Sequence, residues 1–212
     1  MSQQEHWNKI WSENESDNQP SSFCQKTLEE LPLPVNSQIL ELACGQGYDT
    51  EFFLCKGYEV RAVDFASEAL RSMQERLKIF IQSRKLQVHL LDLKKEFLAQ
   101  TALFDLVYSH LGLHYFSLER TRELFKLIYD VLKPQGWIAI AVNSTNDVKH
   151  GHGDLLEPSM YIYKGHVRRF IDKNVLESIF LKQFRVLKME EVKEHTKYGI
   201  RTRFHSFARK PE

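Results

Sequence analysis

Cysteine is scarce in this chain. The three present (Cys24, Cys44 and Cys55) are odd in number and unpatterned, so they suggest neither a disulfide framework nor a metal site. A reducing cytoplasm is the natural setting for such a sequence. Long apolar runs are missing too: none approaches about 18 residues, and the amino terminus is polar, so no spanning segment or signal peptide is expected. There are no repeats and no low-complexity tract. A net charge of +1 excludes a strongly basic or acidic protein overall, although residues 1–60 are acidic and the stretch from Lys164 to Lys210 is basic. What remains is a chain of 212 residues, suited to one α/β domain with a fully formed core.

The most informative stretch runs from Gln38 to Ser67. A short apolar strand (Ile39, Leu40, Leu42) carries Glu41 near its end, and a small-residue turn follows through Ala43, Cys44, Gly45, Gln46 and Gly47. A helix with Phe52, Phe53 and Leu54 comes next, then a second strand from Glu59 to Val63 that ends on Asp64-Phe65. This is a strand-turn-helix-strand unit, with glycines where backbone approaches a ligand and a carboxylate where a ribose would sit. It predicts a nucleoside-bearing cofactor.

One more absence bears on which cofactor. A dinucleotide loop needs a third small residue for close helix packing, and that position here is Thr50. The pattern reads instead as Glu41-x-Ala43-x-Gly45-x-Gly47, which resembles the acid-x-Gly-x-Gly-x-Gly loop of class I S-adenosylmethionine-dependent methyltransferases, with Ala43 in place of the first glycine. The resemblance implies that Glu41 orients the amino-acid end of the cofactor, through the loop or a water. It implies that Asp64 accepts from both ribose hydroxyls, with Ala43, Cys44, Gly45, Gly47 and Phe65 lining the same site.

Later elements extend the resemblance over about residues 38–145. Leu86 to Leu91 reads as a strand ending in Asp92-Leu93, the place where this family holds adenine. Phe104 to Ser109 is a fourth strand whose end, Ser109-His110, would face the methionine moiety and the acceptor. Helices are expected from about Ser67 to Ser83 and from Ser117 to Leu132. The second stops at Lys133-Pro134-Gln135-Gly136 before a strand from Trp137 to Val142. Two late strands, Phe184 to Val192 and Arg201 to Arg209, joined through 195–199, would close the sheet as an antiparallel pair. The fold class is thus α/β: a Rossmann-like seven-stranded, mostly parallel sheet with an antiparallel last strand and helices on both faces. The single domain 1–212 divides into an amino-terminal helix and loop acting as a lid (1–22), the cofactor core (38–145), an insert on the acceptor side (147–169), and the last helix with the closing strands (170–210).

Acceptor-side residues are read from the remaining features. Trp7 and Trp11 lie four apart on one helical face, and W-N-K-I-W…Q-P-S-S-F resembles the lid of small tellurite-resistance and thiopurine methyltransferases. Simple packing of this helix on the domain is the competing reading. Methyl transfer to a hydroxyl needs a base, and histidine is best matched near neutral pH. His114 and His195 are the candidate catalytic residues, with Tyr115 and Tyr161 as pocket walls. Surface placement of each histidine fits the sequence equally well. His195 also matches a histidine in the tail of tellurite methyltransferases, but Thr196 stands where they have arginine. No metal site is expected: His110, His114, His150 and His152 have possible ligand spacings, but no carboxylate or cysteine is patterned with them. Asn/Asp-Pro-Pro-Tyr is absent after the fourth strand, which disfavours the methylation of adenine, cytosine or glutamine amino groups.

The sequence therefore predicts transfer of a methyl group from S-adenosyl-L-methionine, leaving S-adenosyl-L-homocysteine, to a small-molecule acceptor. No DNA or membrane partner is expected, and monomer and homodimer are both open. An RNA- or protein-directed enzyme using the basic carboxyl-terminal half is the alternative, beside a non-catalytic protein that binds the cofactor.

Overall fold

The computed structural model describes residues 3–13, 19–98, 103–196 and 199–212. Part of the expected loop at 14–22 and the tip of the expected 195–199 turn lie outside these. In chain order the helices are α1 (Gln3–Glu13), α2 (Ser22–Glu30), α3 (Tyr48–Cys55), α4 (Ser67–Arg76), α5 (Lys78–Gln82), α6 (Leu118–Val131) and α7 (Lys173–Val175). A 3-10 turn occupies Leu113–Tyr115, and α7 continues as a π-helical stretch, Leu176–Phe180. The strands are β1 (Gln38–Leu42), β2 (Glu59–Asp64), β3 (Leu86–Leu90), β4 (Phe104–His110), β5 (Leu132–Asn143), β6 (Asp154–Glu157), β7 (Met160–Tyr163), β8 (His166–Arg169), β9 (Arg185–Thr196) and β10 (Gly199–Arg209).

Seven strands form the main sheet in the order β3-β2-β1-β4-β5-β10-β9. Pairing is parallel from β3 through β5, whereas β10 runs antiparallel to both β5 and β9. The expected fold class is the observed one. Strand order reverses beside β1, so β1 and β4 leave a crevice at their carboxyl ends, where open α/β sheets bind ligands. Apolar cores fill both faces. One gathers Leu124, Phe125 and Ile128 of α6 with Phe180. The other gathers Phe23 of α2, Phe53 of α3 and Met73 of α4.

Several boundaries differ from the sequence expectation. The helix from Ser67 breaks at Leu77, which is 1% exposed and closes α4 through its N–H to the Met73 carbonyl at 2.8 Å. The chain resumes as α5 at Lys78, so the one helix expected is two. The segment at 133–136 lies within extended chain rather than forming a separate turn. Its kink is made by Gln135, at φ 64°, and by Gly136, whose missing Cβ would sit 2.9 Å from the Lys133 carbonyl. Both closing strands run longer than expected, pairing out to Thr196 and Gly199. Helix α2 begins at Ser22, where the expected loop ends. Ser21 caps it by accepting from the Cys24 N–H at 2.9 Å, and Phe23 anchors it, fully buried against Tyr108 and Phe207. Burying such a side chain contributes about 1.5–3 kcal/mol.

The insert is a small antiparallel sheet, β6-β7-β8. Arg169, only 3% exposed, clamps it to the domain. Its guanidinium donates to the Phe116 carbonyl at 3.2 Å and the Pro158 carbonyl at 2.9 Å and pairs with Glu157, which accepts from the Leu118 N–H at 3.0 Å. The clamp holds the insert against the 3-10 turn and the start of α6.

Candidate active site

Two buried carboxylates organise the crevice. Asp64, at the end of β2, accepts from the Gly45 N–H at 2.8 Å and the Ala66 N–H at 2.9 Å, so it pins the glycine turn to the neighbouring strand. Burial raises its pKa above the ordinary carboxylate value, and the backbone hydrogen bonds oppose that rise. Glu41, 3% exposed, accepts from the Thr50 hydroxyl at 2.5 Å. Burial, then the charge of Asp49, pushes its pKa well up. Thr50, which the dinucleotide pattern would make small, is the partner of this acid.

The turn itself is bent at three left-handed residues, Ala43 (φ 59°), Gly45 (φ 55°) and Gly47 (φ 73°). The two glycines do different work. A Cβ on Gly45 would meet Trp11 at 3.0 Å, so its bare face is covered by the indole. A Cβ on Gly47 would lie 2.0 Å from the Met73 sulfur, so this glycine is required for helix packing. Cys44 is half-buried, and its thiol is pushed well up by burial and the nearby carboxylates.

Helix α1 lies across this turn. Gln4 donates to the Phe65 carbonyl at 2.9 Å, Asn8 approaches the Ser67 hydroxyl at 3.4 Å, and Gln46 donates to the Trp11 carbonyl at 3.5 Å. Trp7 stacks on Trp11 with centroids 6.0 Å apart and meets Tyr115 edge-on at 5.3 Å and His166 at 4.9 Å. The Trp helix therefore bridges the cofactor turn to the 3-10 turn and the insert.

Beyond β2, Asp92 accepts from the Lys94 N–H at 2.9 Å, and the carbonyl of the buried Leu93 accepts from Arg120 at 2.7 Å. The Ser109 hydroxyl is committed to the Leu42 carbonyl at 2.9 Å, so its side chain braces the end of β1. His110 has its Nδ1 3.8 Å from Asp49, and burial lowers its pKa. Asp49 is a residue the sequence reading missed. It accepts from the Ser21 N–H at 2.6 Å, the Ser21 hydroxyl at 2.8 Å and the Tyr108 hydroxyl at 2.6 Å, tying α2 to α3 and β4. Its sequence signal is slight: with Glu51 it is one of two acids in the first turn of α3.

The acceptor-side residues separate into two groups. His114 (2% exposed) and Tyr115 sit together on the 3-10 turn with ring centroids 4.3 Å apart. Burial, reinforced by Arg168, Arg203 and Arg201, holds His114 well below the ordinary histidine pKa. His195 is not brought to them. It is exposed on β9, and strand alternation puts it on the face opposite Glu194. Glu194 is the residue of that strand that joins the cluster, pairing with Arg203 and accepting from His205 Nε2 at 2.9 Å. Tyr161 is half-buried in the insert against His150 and Phe170. A cavity of about 350 Å³ opens between the insert and the 3-10 turn, lined by Tyr115, Met160, Val167, Leu156, Arg120 and Lys94. Among the described residues no group of three or more His, Cys, Asp and Glu is placed to hold a metal ion. No described helix is long and apolar enough to cross a membrane.

Residues 39–136 match the family model of a methyltransferase domain. A phosphoethanolamine N-methyltransferase of Plasmodium falciparum (isolate 3D7) is 29% identical over 136 residues, covering 62% of this chain and 48% of that protein. The chain spans about half the length of the curated relatives it matches. The N-methyltransferase NodS from Bradyrhizobium japonicum WM9, solved with S-adenosyl-L-homocysteine, aligns over 100% of both chains with a TM-score of 0.73 and 15% identity. TehB from Haemophilus influenzae aligns over 98% of this chain and 66% of its own, with a TM-score of 0.68 and 16% identity. At such identities the solved structures show the shared fold.

Proposed function

We propose that this chain, which carries a methyltransferase domain of the class I S-adenosylmethionine-dependent family, transfers the cofactor's methyl group to a small-molecule acceptor. The observation that carries this reading is Asp64 holding the Gly45 turn beneath the Trp11 indole. The residues fit the cofactor. Each Asp64 oxygen takes one backbone N–H, and a carboxylate has lone pairs for two more donors, such as the two ribose hydroxyls. The left-handed Gly45, having no side chain, lets the Trp11 indole close on the turn.

When bound, S-adenosylmethionine supplies an electrophilic methyl on a sulfonium. The protein's task is then to hold the acceptor in line, about 3 Å from that methyl, and to exclude water. Glu41, Asp64 and the Gly45 turn position the donor, Asp92 and Leu93 frame its adenine end, and α1 covers it. Burial keeps His114 neutral near pH 7, and its Nδ1 is buried without a hydrogen-bond partner among the described residues. It can take a hydrogen bond or a proton from an acceptor seated beside Tyr115. The similarity to a phosphoethanolamine N-methyltransferase of Plasmodium, named for a small amine, supports a small acceptor here.

Calorimetry tests the cofactor. S-adenosylhomocysteine should bind the wild type and fail to bind Asp64→Ala, and NAD should not bind. Binding of NAD without S-adenosylhomocysteine would overturn the reading. Fractionation of a metabolite extract for incorporated labelled methyl then tests turnover.

A further inference from the structure

The acceptor side holds more positive charge than its carboxylates offset. Because β10 is antiparallel to β5, its first residues reach the carboxyl ends of the parallel strands, with Arg203 opposite Asn143 and the Thr202 carbonyl accepting from the Ser144 N–H. Arg201 and Arg203, two apart, share a face of that strand. Arg168 arrives from β8 of the insert, opposite Tyr161, and β8 packs on the 3-10 turn. His114 and Tyr115 on that turn feel all three guanidinium groups.

Two of these cations are already paired. Arg201 Nε donates to Asp147 at 2.9 Å, and Arg203 pairs with Glu194. Arg168 has no hydrogen-bond or ion-pair partner among the described residues, so three guanidinium groups face two carboxylates. Asp64 also reaches Tyr115, but its oxygens belong to the cofactor turn. The Nε of Arg203 is buried without a partner, although its side chain is only 13% exposed. A buried N–H left unbonded is costly, and an anion would satisfy it. Arg168 also lines, with Lys149, His152, His166 and Tyr161, a cavity of about 20 Å³, room for one water-sized group.

We infer that the methyl acceptor carries an oxyanion, a phosphate or a carboxylate, held by Arg168 and the Nε of Arg203 beside Tyr115. Guanidinium suits either group, since its planar donors match paired oxygens. The inference rests on the methyltransferase reading of this same crevice.

The test is a calorimetric titration at fixed ionic strength, with inorganic phosphate and acetate as separate ligands up to millimolar concentration. Each is run on the protein saturated with S-adenosylhomocysteine and on the protein alone. At least one anion should bind the wild type, and which one binds identifies the group. Arg168→Gln should weaken that binding at least ~10-fold, as expected for a lost charge-assisted contact, while its affinity for S-adenosylhomocysteine stays unchanged. Arg185→Gln, the same charge change at the far end of β9, should bind the anion like the wild type. The inference is overturned if neither anion binds in either state, if Arg168→Gln binds equally well, or if Arg185→Gln loses as much. Failure of S-adenosylhomocysteine to bind sinks the cofactor reading instead, and the titration without it still decides the anion site.

Discussion

Ala43 and Gly112 share one space. A Cβ on Gly112 would lie 2.5 Å from the Ala43 Cβ, so the methyl group on the cofactor turn fits only because the residue after β4 and Leu111 has none. This is how the chain accommodates alanine, at φ 59°, where the family pattern has glycine. The left-handed conformation costs an L-residue roughly 1–2 kcal/mol, partly offset by the entropy a glycine would lose.

The pairing predicts non-additive mutants. Gly112→Ala should destabilise by about 2 kcal/mol or more, since the new methyl also meets the Ser109 hydroxyl at 2.7 Å. Ala43→Gly should be neutral or stabilising by up to ~1 kcal/mol. Combined, Ala43→Gly should recover part of the Gly112→Ala loss in denaturant unfolding. Equal cost of Gly112→Ala in both backgrounds would show that the two residues do not compete.

Glu41 should trade stability for function. Its pKa is raised by burial, so the ionised form is penalised in the folded state, and the protein is less stable above the folded pKa than a neutral side chain would make it. Glu41→Gln keeps an acceptor for the Thr50 hydroxyl. It should raise Tm at neutral pH by a few degrees, the scale of about 1 kcal/mol, while weakening S-adenosylhomocysteine at least ~10-fold. A lower Tm with unchanged affinity would contradict both halves.

The proposed lid can be followed by its own fluorescence. Trp7 and Trp11 lie at the cofactor turn, whereas Trp137, the third tryptophan, sits against Arg209. Binding of S-adenosylhomocysteine should change tryptophan emission in the wild type and in Trp137→Phe. The change should vanish in Trp7→Phe/Trp11→Phe. Trp11→Ala should speed ligand dissociation by roughly tenfold, equivalent to about 1.4 kcal/mol of lost cover. A change that survives the double substitution would place the reporter elsewhere.

Acid should loosen the closing strands. Burial pushes Glu194 upward, but its hydrogen bond with His205 and the charge of Arg203 win, holding it down at about 2 against an ordinary 4.5. A depressed carboxylate stabilises above its unfolded value, and that contribution is lost as pH falls through the folded one. Wild-type stability should therefore drop between pH 4.5 and about 2. Glu194→Gln should flatten part of that slope. The rest belongs to Asp147, Glu157 and Glu190, which are also held low. An unchanged slope in the variant would remove Glu194 from this role.

Much of the glycine turn's geometry was legible in the sequence because it is local. Glu41, Ala43, Gly45 and Asp64 fall within one strand-turn-helix-strand unit, and backbone geometry dictates small residues at its turn and acids at its strand ends. The acceptor side was not legible in the same way. His195 was a reasonable candidate by type, yet alternation along β9 turned it outward and brought Glu194 inward, a one-residue distinction that register alone decides. Asp49, one of two acids opening α3, became the junction of Ser21, Tyr108 and His110 through contacts spanning up to 61 residues.

By itself the sequence determined the seven-stranded α/β order, the bent small-residue turn and the two acids that flank it, because hydrophobic period, glycine and strand-end chemistry act over a few neighbouring residues. Only the tertiary structure decided which side chains gather at the proposed acceptor side. Arg168, Arg201 and Arg203 come from two different sheets, and their charge converges on His114 and Tyr115 through an antiparallel pairing and a clamped insert. Such long-range juxtaposition leaves no local pattern, since each arginine in its own segment looks like any surface cation.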